Sequence, residues 1–146
     1  MNTTQKFCVP LTVYYDKSCP MCATEMHVIQ GRDWRGRLKL VDCSAPDFDD
    51  RAIAREGVRR GDLMTRLHVR DPEGQWLRGL DAFEAVYAAA GLDQAARFWG
   101  NRRLRLVLDQ IYPVMARYRQ PLSRLGLHTV VGLLMRAAAR ISPSRY

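Results

Sequence analysis

Long apolar runs are missing from this chain. The longest near the C-terminus, Thr129-Val130-Val131-Gly132-Leu133-Leu134-Met135, falls well short of the roughly 20 residues a bilayer-crossing helix needs. Residues 1–6 lack the hydrophobic core of a secretory leader. The expected location is therefore the cytoplasm, a reducing compartment. Cysteine is sparse, with four in 146 residues, which excludes a small scaffold held together by disulfide staples. A second Cys-x-x-Cys is absent, so the four-ligand set of a structural zinc site is not evident in the spacing. The chain also has no phosphate-binding glycine loop, no Ser-His-Asp arrangement, no paired-carboxylate motif, no low-complexity tract and no internal repeat. With 47% hydrophobic and 26% charged residues, it is expected to fold as one domain that buries its own core.

Acidic residues are nearly absent from the last third. Residues 1–96 hold 13 Lys+Arg against 14 Asp+Glu, whereas residues 97–146 hold 10 Arg, no Lys and one acid, Asp109. The net charge of +8 therefore resides in the tail. A solvated helical face explains such a run most simply; contact with an acidic partner or an anionic membrane surface is the alternative. Nucleic acid is not expected as a partner, because the tail has neither zinc-finger spacing nor an aromatic RNA-binding signature.

What the chain does have is Cys19-Pro20-Met21-Cys22, directly after the apolar run Leu11-Thr12-Val13-Tyr14-Tyr15. A buried strand, a short turn and a cysteine pair at a helix start suit thiol–disulfide exchange. Pro20 fits the first helical position, where its missing N–H costs nothing. Unpaired amides and the positive end of the helix dipole favour a thiolate at Cys19. Cys22, one turn further on, is placed to resolve a mixed disulfide formed at Cys19. Lys17 adds positive charge beside the pair. Asp16 opposes it, or accepts a proton from the second thiol. Cys43, following a second strand, reads as a small buried hydrophobe, a third redox thiol or a metal ligand. In the zinc reading the further ligands come from Cys43, His27, His68 and Cys8.

Hydrophobic spacing gives strands at Leu11–Tyr15, Leu38–Asp42, Thr65–Val69 and Gln75–Arg78. Helices are predicted from Cys19 or Pro20 to Gly31, from Phe48 to Glu56, and from a cap at Asp81 with Glu84 as its box partner to Gly91. The order β-α-β-α-β-β-α suggests a thioredoxin-like α/β core over residues 1–96, with a basic helical extension, 97–146, packed on the same domain. In the extension Leu104, Val107, Leu108, Ile111, Tyr112 and Met115 form an apolar stripe read as core packing. Pro113 is expected to kink or interrupt that helix, and a last helix covers Thr129 to Ile141.

These residues resemble the DCC family of predicted thiol-disulfide oxidoreductases, also known as the domain of unknown function 393. The matching text is Val13-Tyr14-Tyr15-Asp16-Lys17-Ser18-Cys19-Pro20-Met21-Cys22, then Asp71-Pro72-Glu73-Gly74, Gly79-Leu80-Asp81-Ala82-Phe83, and Tyr112 followed by Ala116-Arg117-Tyr118-Arg119. The resemblance implies a thioredoxin-like fold, a redox role for Cys19 and Cys22, and Asp16 as a motif residue. Lys17 stands where the family has a glycine free to adopt positive φ. The wider thioredoxin class carries a cis-proline before its third core strand. By register that place falls at Met64-Thr65, where Thr65 is expected to offer backbone groups to an extended substrate. The expected substrate is a protein or low-molecular-weight thiol or disulfide, and no organic cofactor is required. The competing reading is a zinc-binding or redox-inactive interaction module that engages a partner through its arginine-rich helices.

Overall fold

In the computed structural model, the structure describes residues 7–126 together with 129, 130, 133, 136 and 137. Strand β1, Leu11–Tyr15, and strand β2, Leu38–Asp42, flank helix α1, Pro20–Gln30. A one-turn helix α2, Arg51–Ala54, and helix α3, Arg60–Thr65, lead to the antiparallel strands β3, His68–Arg70, and β4, Trp76–Arg78. Helices α4, Leu80–Ala89, α5, Asp93–Gly100, and α6, Arg102–Arg124, complete the described chain.

The four strands form one mixed sheet in the order β2-β1-β3-β4. β1 runs parallel to β2, with Leu11 opposite Leu38 and Tyr15 opposite Asp42, and antiparallel to β3, with Val13 opposite Val69. Leu11, Val13 and Tyr15 alternate with half-buried Thr12 and Tyr14, the period-two pattern of a strand with one core face. That face meets Met26 and Ile29 of α1 and Ala82, Ala85, Val86 and Ala89 of α4. The α/β order, the parallel β1–β2 pair and the β3–β4 hairpin agree with the thioredoxin-like reading.

The boundaries differ in three places. The strand predicted from Thr65 begins only at His68, because α3 starts from its N-cap Arg59, whose amide donates to the Asp62 carboxylate at 3.1 Å and whose carbonyl accepts the Asp62 amide at 2.9 Å, and the helix runs through Thr65. The helix predicted over Phe48–Glu56 shrinks to a single turn before α3 takes over. Asp81 does not cap α4: Gly79 holds that position, and Asp81 in the first turn instead pairs with Arg105 of α6, which also reaches Glu84 at 3.5 Å. Gly79 adopts φ 57° and ψ −124°, a region open essentially to glycine alone. A Cβ there would lie 3.4 Å from Cε1 of Tyr112. Gly79→Ala is expected to lower stability by about 1–3 kcal/mol, read as a drop of several degrees in the thermal midpoint; an unchanged midpoint would show that this turn stores no strain.

The extension is anchored by aromatic packing. Phe83 stacks on Trp99 at 5.0 Å and meets Tyr112 edge-on at 5.9 Å, and the Leu67 amide donates to the Tyr112 hydroxyl at 3.3 Å. α5 is an element the periodicity did not reveal. It follows α4 after only Ala90, Gly91 and Leu92, and it straddles residue 96 with Ala96 and Trp99 both packed on the core. Pro113 does not interrupt α6, which runs on through Pro113 and Pro121. Asn101 starts it by accepting the Arg103 amide at 3.0 Å and the Leu104 amide at 3.4 Å. The stripe read as core packing is only half buried: Leu104, Leu108 and Tyr112 face the domain, whereas Val107, Ile111 and Met115 are exposed. Most of the helix predicted over Thr129–Ile141 lies outside the described residues.

Candidate active site

The parallel pairing of β1 and β2 brings their C-terminal ends to one sheet edge, and the cysteine pair sits there. Each strand ends in Asp-x-Ser. Asp16 accepts the Ser18 amide at 3.0 Å and the Ser18 hydroxyl at 2.5 Å through the same oxygen. Asp42 does the same for Ser44, at 2.9 Å and 2.5 Å. The two turns are stitched together by the Lys17 amide donating to Asp42 at 3.3 Å and the Ser18 amide donating to the Ser44 hydroxyl at 3.2 Å. These bonds fix the backbone that delivers Cys19 to the helix start.

Cys19 is the N-cap of α1, with extended backbone angles of −85° and 111°, and Pro20 occupies the first helical position as predicted. The Cys19 carbonyl accepts the Ala23 amide at 2.9 Å, closing the first turn. Cys22 lies one turn along, and the two sulfurs are close but not bonded. Their exposure reverses what an attacking first cysteine needs: Cys19 is fully buried, at 0%, while Cys22 is partly exposed.

The supporting residues fall in different places. Asp16 is buried and holds the turn before Cys19. Lys17 needs no positive φ, since no non-glycine residue among those described adopts one, so replacing the family glycine leaves the loop unstrained. Its charge lies near Asp42. Burial would raise that carboxyl, but hydrogen bonds from Ser44, then the Lys17 amide and charge, hold it below its ordinary value. Thr65 ends α3, exposed, with its hydroxyl donating to the Asp62 carbonyl at 2.8 Å. It belongs to a helix end and not to the opening of β3. Cys43 sits beside the site, its amide donating to the Tyr15 carbonyl at 2.9 Å. Burial, followed by the charge of Asp42, pushes its thiol up to about 12, so it stays protonated and unreactive near neutrality.

A residue the periodicity missed stands next to the pair. Glu25 lies on α1 at i+3 from Cys22, on the face that also carries Met26 and Ile29. It accepts a hydrogen bond from the buried Tyr87 hydroxyl at 2.8 Å. Burial raises its carboxyl to about 7; the bond from Tyr87 opposes the rise, and the nearby Cys19 sulfur adds to it. The readable signal was an acid one turn after Cys22 on an otherwise apolar stripe.

The zinc ligands considered from sequence do not converge. Among the described residues, the one group of metal-ligating side chains close enough to share an ion is Cys8, Asp71 and Glu73, away from the pair. There Asp71 already accepts the Cys8 amide at 3.2 Å and the Gln75 amide at 2.8 Å, locking the turn between β3 and β4. His27 is exposed, with Nδ1 at 2.8 Å from the Ala23 carbonyl. His68 is buried in β3 against Trp76, with burial holding its pKa below the ordinary value.

A family model described as DCC1-like thiol-disulfide oxidoreductase matches residues 13–125. Among curated proteins, an uncharacterized chloroplastic protein of Arabidopsis thaliana is 26% identical over 110 residues, which make up 75% of this chain and 50% of that protein. The chain thus spans about half the length of the curated relative it matches. No solved structure matches it at comparable stringency. No helix among the described residues is long and apolar enough to cross a membrane.

Proposed function

The chain belongs to the DCC1-like thiol-disulfide oxidoreductase family, and from that premise we propose that it exchanges disulfides with protein or low-molecular-weight thiol partners through Cys19 and Cys22. The observation that supports this most directly is the pair itself: two adjacent, unbonded thiols at the first turn of α1, with Cys19 at the N-cap.

In the reducing direction, once a docking substrate has opened access to the buried Cys19 sulfur, the Cys19 thiolate, favoured by the amides of the helix tip, attacks one sulfur of a substrate disulfide. The S–S bond breaks, one substrate sulfur leaves and takes up a proton, and a Cys19–substrate disulfide remains. Cys22 then passes its proton to the Glu25 carboxylate and attacks the Cys19 sulfur. The second substrate sulfur leaves and collects the proton. Two electrons have moved from the pair to the substrate, and Cys19 is bonded to Cys22. Glu25 suits this task because its affinity for a proton lies near neutrality. Asp16 and Pro20 hold the helix start in place, and Lys17 supplies positive charge at its mouth. The compartment in this reading is the cytoplasm, where thiol buffers keep such a pair cycling.

The test is a redox titration of the whole protein in glutathione buffers, with alkylation and mass spectrometry of each cysteine. The expected result is a single two-electron transition that protects Cys19 and Cys22 together, while Cys43 takes no part. A pair that stays reduced under oxidising buffer, or that oxidises through Cys8 or Cys43, would refute the reading. Stoichiometric zinc in freshly purified protein would favour the interaction-module alternative.

A further inference from the structure

Helix α6 has two apolar faces, and only one is used. Leu104, Leu108, Tyr112 and Ala116, at four-residue steps, lie on the half-buried side toward the domain. On another side Val107, Ile111, Val114 and Tyr118 follow i, i+4, i+7 and i+11, and they are exposed at 54%, 43%, 56% and 53%. Along one flank of this second stripe runs a seven-residue series, Arg103, Gln110, Arg117 and Arg124, all exposed. The helix's one acid, Asp109, lies on nearly the opposite side from the stripe. Arg105 is already engaged by Asp81 and Glu84, so it belongs to the core-facing side.

We propose that this second face of α6 docks the protein on an anionic lipid surface, with Val107, Ile111, Val114 and Tyr118 entering the headgroup–acyl boundary and Arg103, Arg117 and Arg124 meeting lipid phosphates. The arrangement is that of a helix lying in a membrane interface: an apolar stripe, a flank of three arginines and a glutamine with no acid, and a low overall hydrophobicity. Its charge selects the occupant. A second copy would bring the same arginine row and another net charge of +8 against the first, with a single acid in the last 50 residues to offset it. A bilayer accepts an amphipathic helix lying on its surface without a pocket to seat it. This proposal is independent of the dithiol chemistry, and either can fail without the other.

The experiment is cosedimentation of the full-length reduced protein with vesicles of phosphatidylcholine alone and with about 30 mol% phosphatidylglycerol added. Partition into the anionic vesicles is expected to be at least about tenfold greater and to fall as salt rises. Val107→Asp should reduce that partition about tenfold by charging the apolar stripe. Arg117→Gln should weaken only the component that depends on anionic lipid. Both positions are exposed, so circular dichroism and exchange with a small disulfide should remain as in the parent. Equal partition into both vesicle types, or none, would overturn the proposal. So would vesicle binding indifferent to Val107→Asp. A concentration-dependent dimer in sedimentation velocity, lost in Val107→Asp and accompanied by no vesicle binding, would assign the face to a second copy.

Discussion

Cys19→Ser abolishes exchange, lowering turnover of a model disulfide by at least about a thousandfold, because the hydroxyl that replaces the thiol is not ionised at neutral pH and cannot form a disulfide. The fold is expected to survive. Serine is among the best N-cap residues, and Cys19 makes no capping bond through its side chain, so the helix start is held as well or better. Cys22→Ser has a different signature. The first attack proceeds and the second cannot, so a mixed disulfide with substrate accumulates and is visible as a mass adduct on Cys19. The burial of Cys19 and the partial exposure of Cys22 give this comparison its force. If the Cys19→Ser protein traps substrate and the Cys22→Ser protein does not, Cys22 attacks first and the dithiol reading stands with the roles exchanged. If neither traps and both retain turnover, the pair is not the site.

Glu25→Gln is expected to change stability and chemistry together. An unfolded glutamate ionises near 4.5, whereas Glu25 in the folded chain holds its proton up to about 7. The folded state therefore binds the extra proton between those values. The stability that the neutral carboxyl contributes is fully present below about 4.5 and is lost as pH rises through about 7. Glutamine stays neutral throughout and can still accept the Tyr87 hydroxyl. In urea unfolding at pH 8 the variant should be more stable than the parent by on the order of 3 kcal/mol, with the difference closing below about pH 4.5. Resolution of the mixed disulfide should slow by about a hundredfold, and the inflection of its pH profile near neutrality should disappear. The first attack should be little affected. A variant that gains stability at high pH but resolves at the parental rate would make Glu25 a structural acid only.

Much of the core was legible because its signals are local. Leu11–Tyr15 and Leu38–Asp42 carry the strand pattern, Pro20 marks the first helical turn, and Gly31 and Gly91 stand just past helix ends. The cysteine pair was legible from spacing and placement. What was not legible depends on partners distant in sequence. Met64-Thr65-Arg66-Leu67 has strand-like composition, yet the helix start fixed by the Asp62 carboxylate on the Arg59 amide commits its first half to α3. Asp81 looks like a cap until Arg105, 24 residues away, is seen to claim its carboxylate. The apolar positions of α6 divide into a packed set and an exposed set according to where Trp99 and Phe83 place the helix, which no periodicity records. The raised proton affinity of Glu25 arises from burial among tertiary neighbours, against the opposing bond from Tyr87, and neither is written in the local sequence. Cys19 was placed correctly at the helix tip, but its closure from solvent comes from the tertiary surroundings.

Strand β1 has hydrogen-bonded neighbours on both sides, β2 and β3. Like β3, it is an interior strand, whose amides open to solvent only when the sheet itself comes apart. Cys19 follows its last residue, Tyr15, by four positions, moored there by the Asp16 and Asp42 turns, whereas Cys22 rides on α1. In the proposed exchange the oxidised pair would therefore brace the first turn of α1 against the turn moored on the sheet.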